Sequence, residues 1–415
     1  MNDAERVVIT GLGALSCLGN GADANWQALC AGQSGIVPIS KFDASAFRCQ
    51  IAGEVRDFDV TAYMSAKEAR RMDPFCQYAI AAADEAVAQS GLNDSGTDAE
   101  RIGVLIASGV GGISTLNKQA DILRERGPSK SSPLTVPMMI VDMASGTVSI
   151  RHGYKGPNLC VVTACASGTH AIGEAAWMIR RGDADAMIAG GSEACIDGLG
   201  LTGFAAMKAL SERNDDPDHA SRPFDKERDG FVPSEGAGIV VLERLDKAKK
   251  RNAPILGELI GYGLTGDAYH ITAPDAEGEG ATRAIVNAVR QAGLNPDQID
   301  YINAHGTSTP LNDKGECKAI RRAFGEHADG LAVSSTKSMT GHALGAAGGL
   351  ECVYTLLALN RNVAPPTINY EFPDPDCDLD FVPNEAREMR IQNAVNINLG
   401  FGGHNAAVVF RAFAG

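Results

Sequence analysis

The chain lacks what a nucleic-acid binder needs. No long Lys/Arg stripe interrupts a sequence whose formal net charge is −14, and phosphate binding requires concentrated positive charge. No uninterrupted apolar run reaches the roughly eighteen residues of a membrane span. The opening Met1-Asn-Asp-Ala-Glu-Arg-Val-Val-Ile-Thr10 has no basic region followed by an apolar stretch of signal-peptide length, so the expectation is a soluble, unprocessed protein. The ten cysteines include no Cys-x-x-Cys pair and no histidine companions at zinc spacing, which argues against a metal site and a disulfide framework and favours a reducing, cytoplasmic location. Gly11-Leu-Gly13 lacks the third glycine and the acidic residue of a dinucleotide fingerprint. Residues 211–230 are polar and turn-rich but lack the Gly/Ser repeats of a flexible linker, so an ordered, functional loop is expected there.

What is present is a 415-residue chain with 44% hydrophobic residues, enough for two fused halves, divided here at 1–252 and 253–415. Apolar runs read as strands at Arg6–Thr10, Ile102–Ala107, Cys160–Thr163, Ala184–Gly190, Gly236–Leu242, Ile255–Gly263, Tyr301–Ala304, Leu331–Ser334, Ala394–Asn398 and Ala406–Arg411. Between them, helical spacing covers Ala22–Ala31, Met64–Gln89, most of Pro133–His152, the stretch from Ala166, Thr282–Ala292, Asp313–Phe324 and Ala343–Leu359. This alternation predicts an α/β fold of layered sheets and helices. A duplicated architecture is compatible with the order, although no exact sequence repeat is visible.

The chemistry centres on Thr163-Ala-Cys165-Ala-Ser-Gly168. Cys165 falls on the turn into a helix, where the helix dipole and unpaired N–H groups favour a thiolate and can hold an oxyanion. A single cysteine is more often a buried structural residue; the surrounding turn of small residues favours the nucleophile. Asn303-Ala-His305-Gly-Thr-Ser-Thr-Pro310 places a histidine just after a strand. Lys337-Ser-Met-Thr-Gly-His342 places a second at the expected start of a helix, whose N-terminus lowers imidazole basicity. Two neutral histidines can polarise one carbonyl, while each alone is more often a hydrogen-bonded loop or core residue. Lys337 and Glu351 read equally as an orienting pair and as a structural salt bridge. Gly400-Phe401-Gly402-Gly403 is a glycine-rich connection whose one large side chain can act as a gate.

These four motifs, in this order, resemble those of the β-ketoacyl-[acyl-carrier-protein] synthases, nearest to their type II branch, over essentially the whole chain. The resemblance implies a thiolase-like fold of two duplicated halves in five layers (αβαβα), a homodimer, and one active site per subunit where the halves meet. It implies that Cys165 takes the acyl chain as a thioester. His305 and His342 bind the malonyl thioester carbonyl through decarboxylation, and the N–H groups of Cys165 and Phe401 form the oxyanion hole. Lys337, Glu351 and Asp313 match positions that support the histidines.

No redox or nucleotide cofactor is implied; substrates arrive on the phosphopantetheine of an acyl carrier protein. A structural monovalent cation belongs near Asn303 and Glu351 in some relatives, and Ile397, Asn398 and His404 depart from a common family pattern there. Val110, flanked by glycines, matches the residue facing the acyl tunnel, with Phe401, Gly402 and Gly403 at the substrate gate. Lys67, Arg70 and Arg71 near one helix start, with Lys208, are the candidate basic surface for the acidic carrier, and a solvated helix face is the alternative. The implied reaction extends an acyl chain by two carbons in fatty acid synthesis. The alternatives are a polyketide or specialised-lipid ketosynthase and, against the presence of Cys165, a non-catalytic partner subunit.

Overall fold

Glycines and alanines at matching positions decide how closely the helices approach the sheet. The computed structural model describes residue 3 and residues 5–414. Its principal sheet has 11 strands. Apart from the short arm Gly19–Asn20, these are β1 (Val7–Ser16), β2 (Ile102–Ala107), β3 (Asn158–Leu159), β4 (Ala186–Glu193), β5 (Gly236–Arg244), β6 (Gly257–Gly266), β7 (Tyr301–Asn303), β8 (Ala332–Ser334), β9 (Asn393–Gly400) and β10 (His404–Arg411). Their spatial order is β8-β7-β9-β10-β6-β1-β5-β4-β2-β3.

The order is the same unit written twice. In the first half β1 pairs antiparallel with β5 and β5 with β4, while β2 lies parallel to both β4 and β3. In the second half β6 pairs antiparallel with β10 and β10 with β9, while β7 lies parallel to β9 and β8. The halves join where Val7–Ile9 of β1 meets Gly257–Leu259 of β6. The duplication left open by the sequence is therefore explicit in the topology.

Helices α1 (Pro74–Ser90) and α2 (Met143–His152) pack on the outer face of the first half, and α4 (Glu279–Gln291) and α5 (Pro310–Phe324) on the outer face of the second. Between them α3 (Ser167–Arg181) and α6 (Ala347–Arg361) touch strands of both halves and form the middle of five layers. Separate apolar clusters fill the outer spaces, and a larger one fills the middle. Gly11 and Gly13 serve this packing: a Cβ on either would fall about 2.0 Å or less from a carbonyl oxygen of α1, at Ala86 and Ala82. Gly261 and Gly263 meet Ala288 and Ala284 of α4 in the same way.

The structure corrects several boundaries. Met64–Gln89 is two helices, because the Asp73 side chain caps a new start at Phe75 N–H and Pro74 occupies its first turn, as a proline without an N–H does best. Cys160–Thr163 is not a buried strand: β3 ends at Leu159, and Val162 is 47% exposed. These residues continue from the edge strand, which has a neighbour on one side only. The helix predicted from Ala343 begins at Ala347, after a tighter turn over Leu344–Ala346. Ser192 and Glu193 belong to β4.

Candidate active site

The C-terminal ends of β2, β4, β7 and β9 and the turns after β3 and β8 converge at the join between the halves, the place where parallel strands of opposite helical cover leave a crevice. Cys165 lies beyond β3, one residue before the Ala166 cap of α3. The turn is held by Ser167, whose Oγ donates to the Ala164 carbonyl (2.6 Å) and accepts from Thr163 N–H (2.8 Å). Ala164 takes φ 51°, a left-handed conformation that costs an alanine about 1–3 kcal/mol and turns the next residue toward the crevice.

Burial pushes the Cys165 thiol up to about 12, against the opposing influence of the Lys337 charge and the Phe401 N–H. The expected thiolate is thus corrected to a resting thiol. A helix dipole contributes at most about 2 kcal/mol, and loss of water around the sulfur outweighs it.

His305 and His342 are also buried, 2% and 3% exposed, with ring centroids 5.2 Å apart and planes at 85°. Both imidazoles are held well below their ordinary value by burial and then by the Lys337 charge. The cause differs from the helix terminus expected for His342, which sits in the turn between the Lys337–Thr340 helix and the Leu344–Ala346 turn.

His305 Nδ1 is approached by two donors, Lys337 Nζ at 3.4 Å and Asn398 Nδ2 at 3.3 Å. Neither can accept a proton there, so Nδ1 is the acceptor and Nε2 carries the hydrogen. Lys337 Nζ also donates to the His305 carbonyl (2.6 Å) and forms a buried ion pair with Glu351, whose Oε2 accepts from Asn398 Nδ2 at 2.7 Å. Lys337 and Glu351 form the buried ion pair common to both readings, and Lys337 also lies against His305.

Two carboxylates of α5 hold the loop that carries His305. Asp313 accepts from Thr307 and Ser308 N–H (3.0 and 3.1 Å), and Glu316 from His305 and Gly306 N–H (2.6 and 2.7 Å). The polar segment 211–230 is ordered as expected and supports Asp313 from behind: Phe224 N–H donates to it at 2.9 Å, and the Arg228 guanidinium lies 3.8 Å away. Burial raises both carboxyls, Glu316 to about 7.

Cys165, His305, His342 and Phe401 open onto one cavity of about 360 Å³, whose wall also includes Lys208 and Gly403. Gly402 and Gly403 take φ 85° and 74°, which lets the loop turn Phe401 toward Phe204, 6.3 Å between centroids. Val110 is not on this wall; it packs in the apolar cluster that contains Cys165 and Leu344. Lys67, Arg70 and Arg71 are exposed, on and just after the short helix Ala66–Ala69 and not on α1.

Sequence reasoning missed Glu316, Asn398 and Glu193. The i, i+3 spacing of Asp313 and Glu316 on a helix facing a glycine-bearing loop was a usable signal; Asn398 showed only as a departure from the family pattern and Glu193 not at all, because their partners lie on loops, a turn and a helix distant in the chain. Among the described residues no cluster of His, Cys, Asp and Glu suits a metal ion, and no helix is long and apolar enough to cross a membrane.

Comparison with known proteins agrees with this geometry. Residues 4–248 match the family model "Beta-ketoacyl synthase, N-terminal domain" and residues 256–371 "Beta-ketoacyl synthase, C-terminal domain". The chain is 56% identical over 407 residues to the 3-oxoacyl-[acyl-carrier-protein] synthase 2 of Coxiella burnetii, covering 98% of each, and 53% identical over 411 residues to that of Synechocystis, covering 99% of each. A solved type II polyketide ketosynthase in complex with its acyl-carrier protein and bound to the hexaketide is similar with a TM-score of 0.91 at 36% identity, over 98% of this chain and 99% of that one.

Proposed function

Since the chain belongs to the β-ketoacyl synthase family and is a 3-oxoacyl-[acyl-carrier-protein] synthase, an acyltransferase that elongates chains in fatty acid biosynthesis, we propose that Cys165 is its nucleophile and that His305 and His342 activate its second substrate. The observation that carries this assignment is the opening of all three onto one cavity.

In the first half-reaction the Cys165 sulfur attacks the acyl thioester carbonyl. The S–C bond to the carrier breaks, and the thiol proton leaves on the carrier sulfur. The high proton affinity of the buried thiol means that deprotonation accompanies attack, with the Phe401 N–H and the Lys337 charge opposing the cost of the anion.

In the second half-reaction Nε2–H of His305 and the ring of His342 hydrogen-bond the malonyl thioester oxygen. The bond to the carboxylate breaks, carbon dioxide leaves, and the electron pair passes into an enolate stabilised by those donors. Neutral imidazoles are required, since two imidazolium ions would repel, and burial beside Lys337 supplies them. The enolate carbon then attacks the acyl-cysteine carbonyl, whose oxyanion is held by the N–H groups of Cys165 and Phe401. Collapse returns the electron pair to sulfur, which takes up a proton from solvent to restore the thiol, and releases the 3-oxoacyl thioester. Lys337, Glu351 and Asp313 act on the histidines and their loop, and Val110 bounds the space behind Cys165.

Substrates ride on a carrier protein, in keeping with the carrier named in the solved ketosynthase complex. Lys67, Arg70, Arg71 and Lys208 are its proposed contacts, all exposed cations on a chain of net charge −14. The working form is a cytoplasmic homodimer. Exposed apolar side chains at Ile150, on the helix packed against the half-paired edge β3, and at Val162, just beyond that strand, supply a face for a second copy. No redox or nucleotide group takes part. A structural monovalent cation suits the buried carboxamides of Asn303 and Asn396, adjacent in register, whose oxygens lack partners; such an ion supplies charge compensation beside Glu351.

Cys165→Ala tests the assignment. Mass spectrometry after incubation with an acyl carrier should show no acyl mass on the variant, while binding of the malonyl carrier persists. Acylation of the variant at the wild-type level removes Cys165 from its role.

A further inference from the structure

Glu193, the last residue of β4, is wholly buried, and none of its hydrogen-bonding partners is a cation. Its Oε1 accepts from Ser108 Oγ (2.8 Å) and Val110 N–H (3.2 Å), and its Oε2 from Gly109 N–H (2.7 Å) and Gly345 N–H (2.9 Å). The first three donors and Gly345 belong to different halves of the chain. Ser108, Gly109 and Val110 form the loop after β2, and Val110 packs against the apolar cluster to which Cys165 and Leu344 belong. Gly345 lies three residues beyond His342, in the turn entering α6.

There is no slack between these segments. A Cβ on Gly345 would fall 2.1 Å from Gly109 N and 2.7 Å from Glu193 Oε2. Close-packed contacts of this kind transmit displacement. A displacement of Val110 therefore reaches Gly345 through one carboxylate, which uses both oxygens to bind the two segments. A buried carboxylate satisfied by four donors loses far more when one side is removed than a surface group does.

We propose that Glu193 is a positioning residue that couples the wall behind Cys165 to His342, so that the length of the acyl chain sets how well His342 meets the malonyl thioester. The inference rests on the roles proposed for Cys165 and His342. It extends the function of the chain to a specificity control that spans the two halves.

The test is a double-variant cycle on the full-length enzyme with Val110→Phe, Glu193→Gln and both together. Acylation of Cys165 is followed by mass with a short and a long acyl carrier thioester, decarboxylation by release of carbon dioxide from malonyl carrier, and folding by melting temperature. In the wild-type background Val110→Phe should slow decarboxylation by roughly three- to a hundredfold, the range of coupling between contacting residues. In the Glu193→Gln background the same substitution should leave decarboxylation unchanged, while still selecting against the long chain in acylation.

An equal factor in both backgrounds, or none in either, overturns the coupling. So does a Glu193→Gln enzyme in which both half-reactions fall together with melting temperature, the mark of a purely structural carboxylate. Should Glu193→Gln fail to fold, Ser108→Ala, which removes one of four donors, takes its place in the same cycle. Cys165→Ala and His342→Ala run alongside: normal acylation in the first or normal decarboxylation in the second would contradict the assignment of the half-reactions, a failure distinguishable from loss of coupling.

Discussion

The rings of His305 and His342 stand edge to face, their centroids 5.2 Å apart. At that separation each offers a nitrogen to the same cavity, and one carbonyl oxygen can take a hydrogen bond from both. Replacing either histidine with alanine should therefore slow decarboxylation of malonyl carrier by about 10²–10³-fold, the usual cost of one oxyanion donor, and leave acylation of Cys165 within a few-fold of wild type. Release of carbon dioxide and acyl-enzyme mass, measured separately, check this; equal loss of both steps contradicts the division of labour.

The Cys165 thiol, raised to about 12 by burial, sets the pH dependence of its alkylation. Below that value the thiolate fraction rises about tenfold per pH unit. Iodoacetamide labelling of Cys165, followed by peptide mass from pH 6.5 to 9.5, should climb throughout without a plateau. A plateau near neutrality would mean that the helix terminus prevails over burial after all.

Glu316 makes a second pH effect with opposite consequences for activity and stability. Its carboxyl is raised to about 7 by burial, so between its unfolded value and 7 the folded chain holds the extra proton. Stability from this group is complete at low pH and is lost as pH rises through about 7. The ionised form, however, accepts both His305 and Gly306 N–H with full strength, so decarboxylation should increase over the same interval. In Glu316→Gln both the melting-temperature slope and the activity slope across pH 5–8 should flatten.

Charge reversal at Arg70 and Arg71 tests the carrier surface. The two exposed guanidinium groups should each contribute a modest screened attraction, so the double Glu variant should raise KM for carrier-borne substrates by about tenfold and weaken its salt dependence. Acyl groups presented on a short pantetheine thiol should be used as before. An unchanged carrier KM removes the patch.

The sequence made the local order legible and left the cross-chain order hidden. Ile102–Ala107 and the strands before His305 and His342 were readable because buried parallel strands are short apolar runs. Cys160–Thr163 has the same β-branched composition and yet lies at an edge, since composition does not count a strand's neighbours. The break at Asp73-Pro74 was written in the sequence and was overridden by continuing apolar spacing. The three motif-bearing turns marked the groups proposed to react. The partners that hold them, Asn398 beside the His305 ring and Glu316 on its backbone, arise from contacts 93 and 11 residues away. The resting state of Cys165 was misjudged because a helix terminus is a local feature and desolvation is not.

The repeated strand order gives the turns that carry Cys165 and His342 equivalent places in the fold. The third strand of each half leads through a turn into the helix of the middle layer; in one copy that turn holds Cys165, in the other His342. The second strand leads likewise to Val110 in one copy and His305 in the other. One corner of the repeated unit carries the proposed attacking group, and the equivalent corner of the other half carries a group proposed to prepare what is attacked. Neither half by itself carries all the proposed groups, so the join of β1 to β6 is as much a part of the proposed catalyst as any side chain.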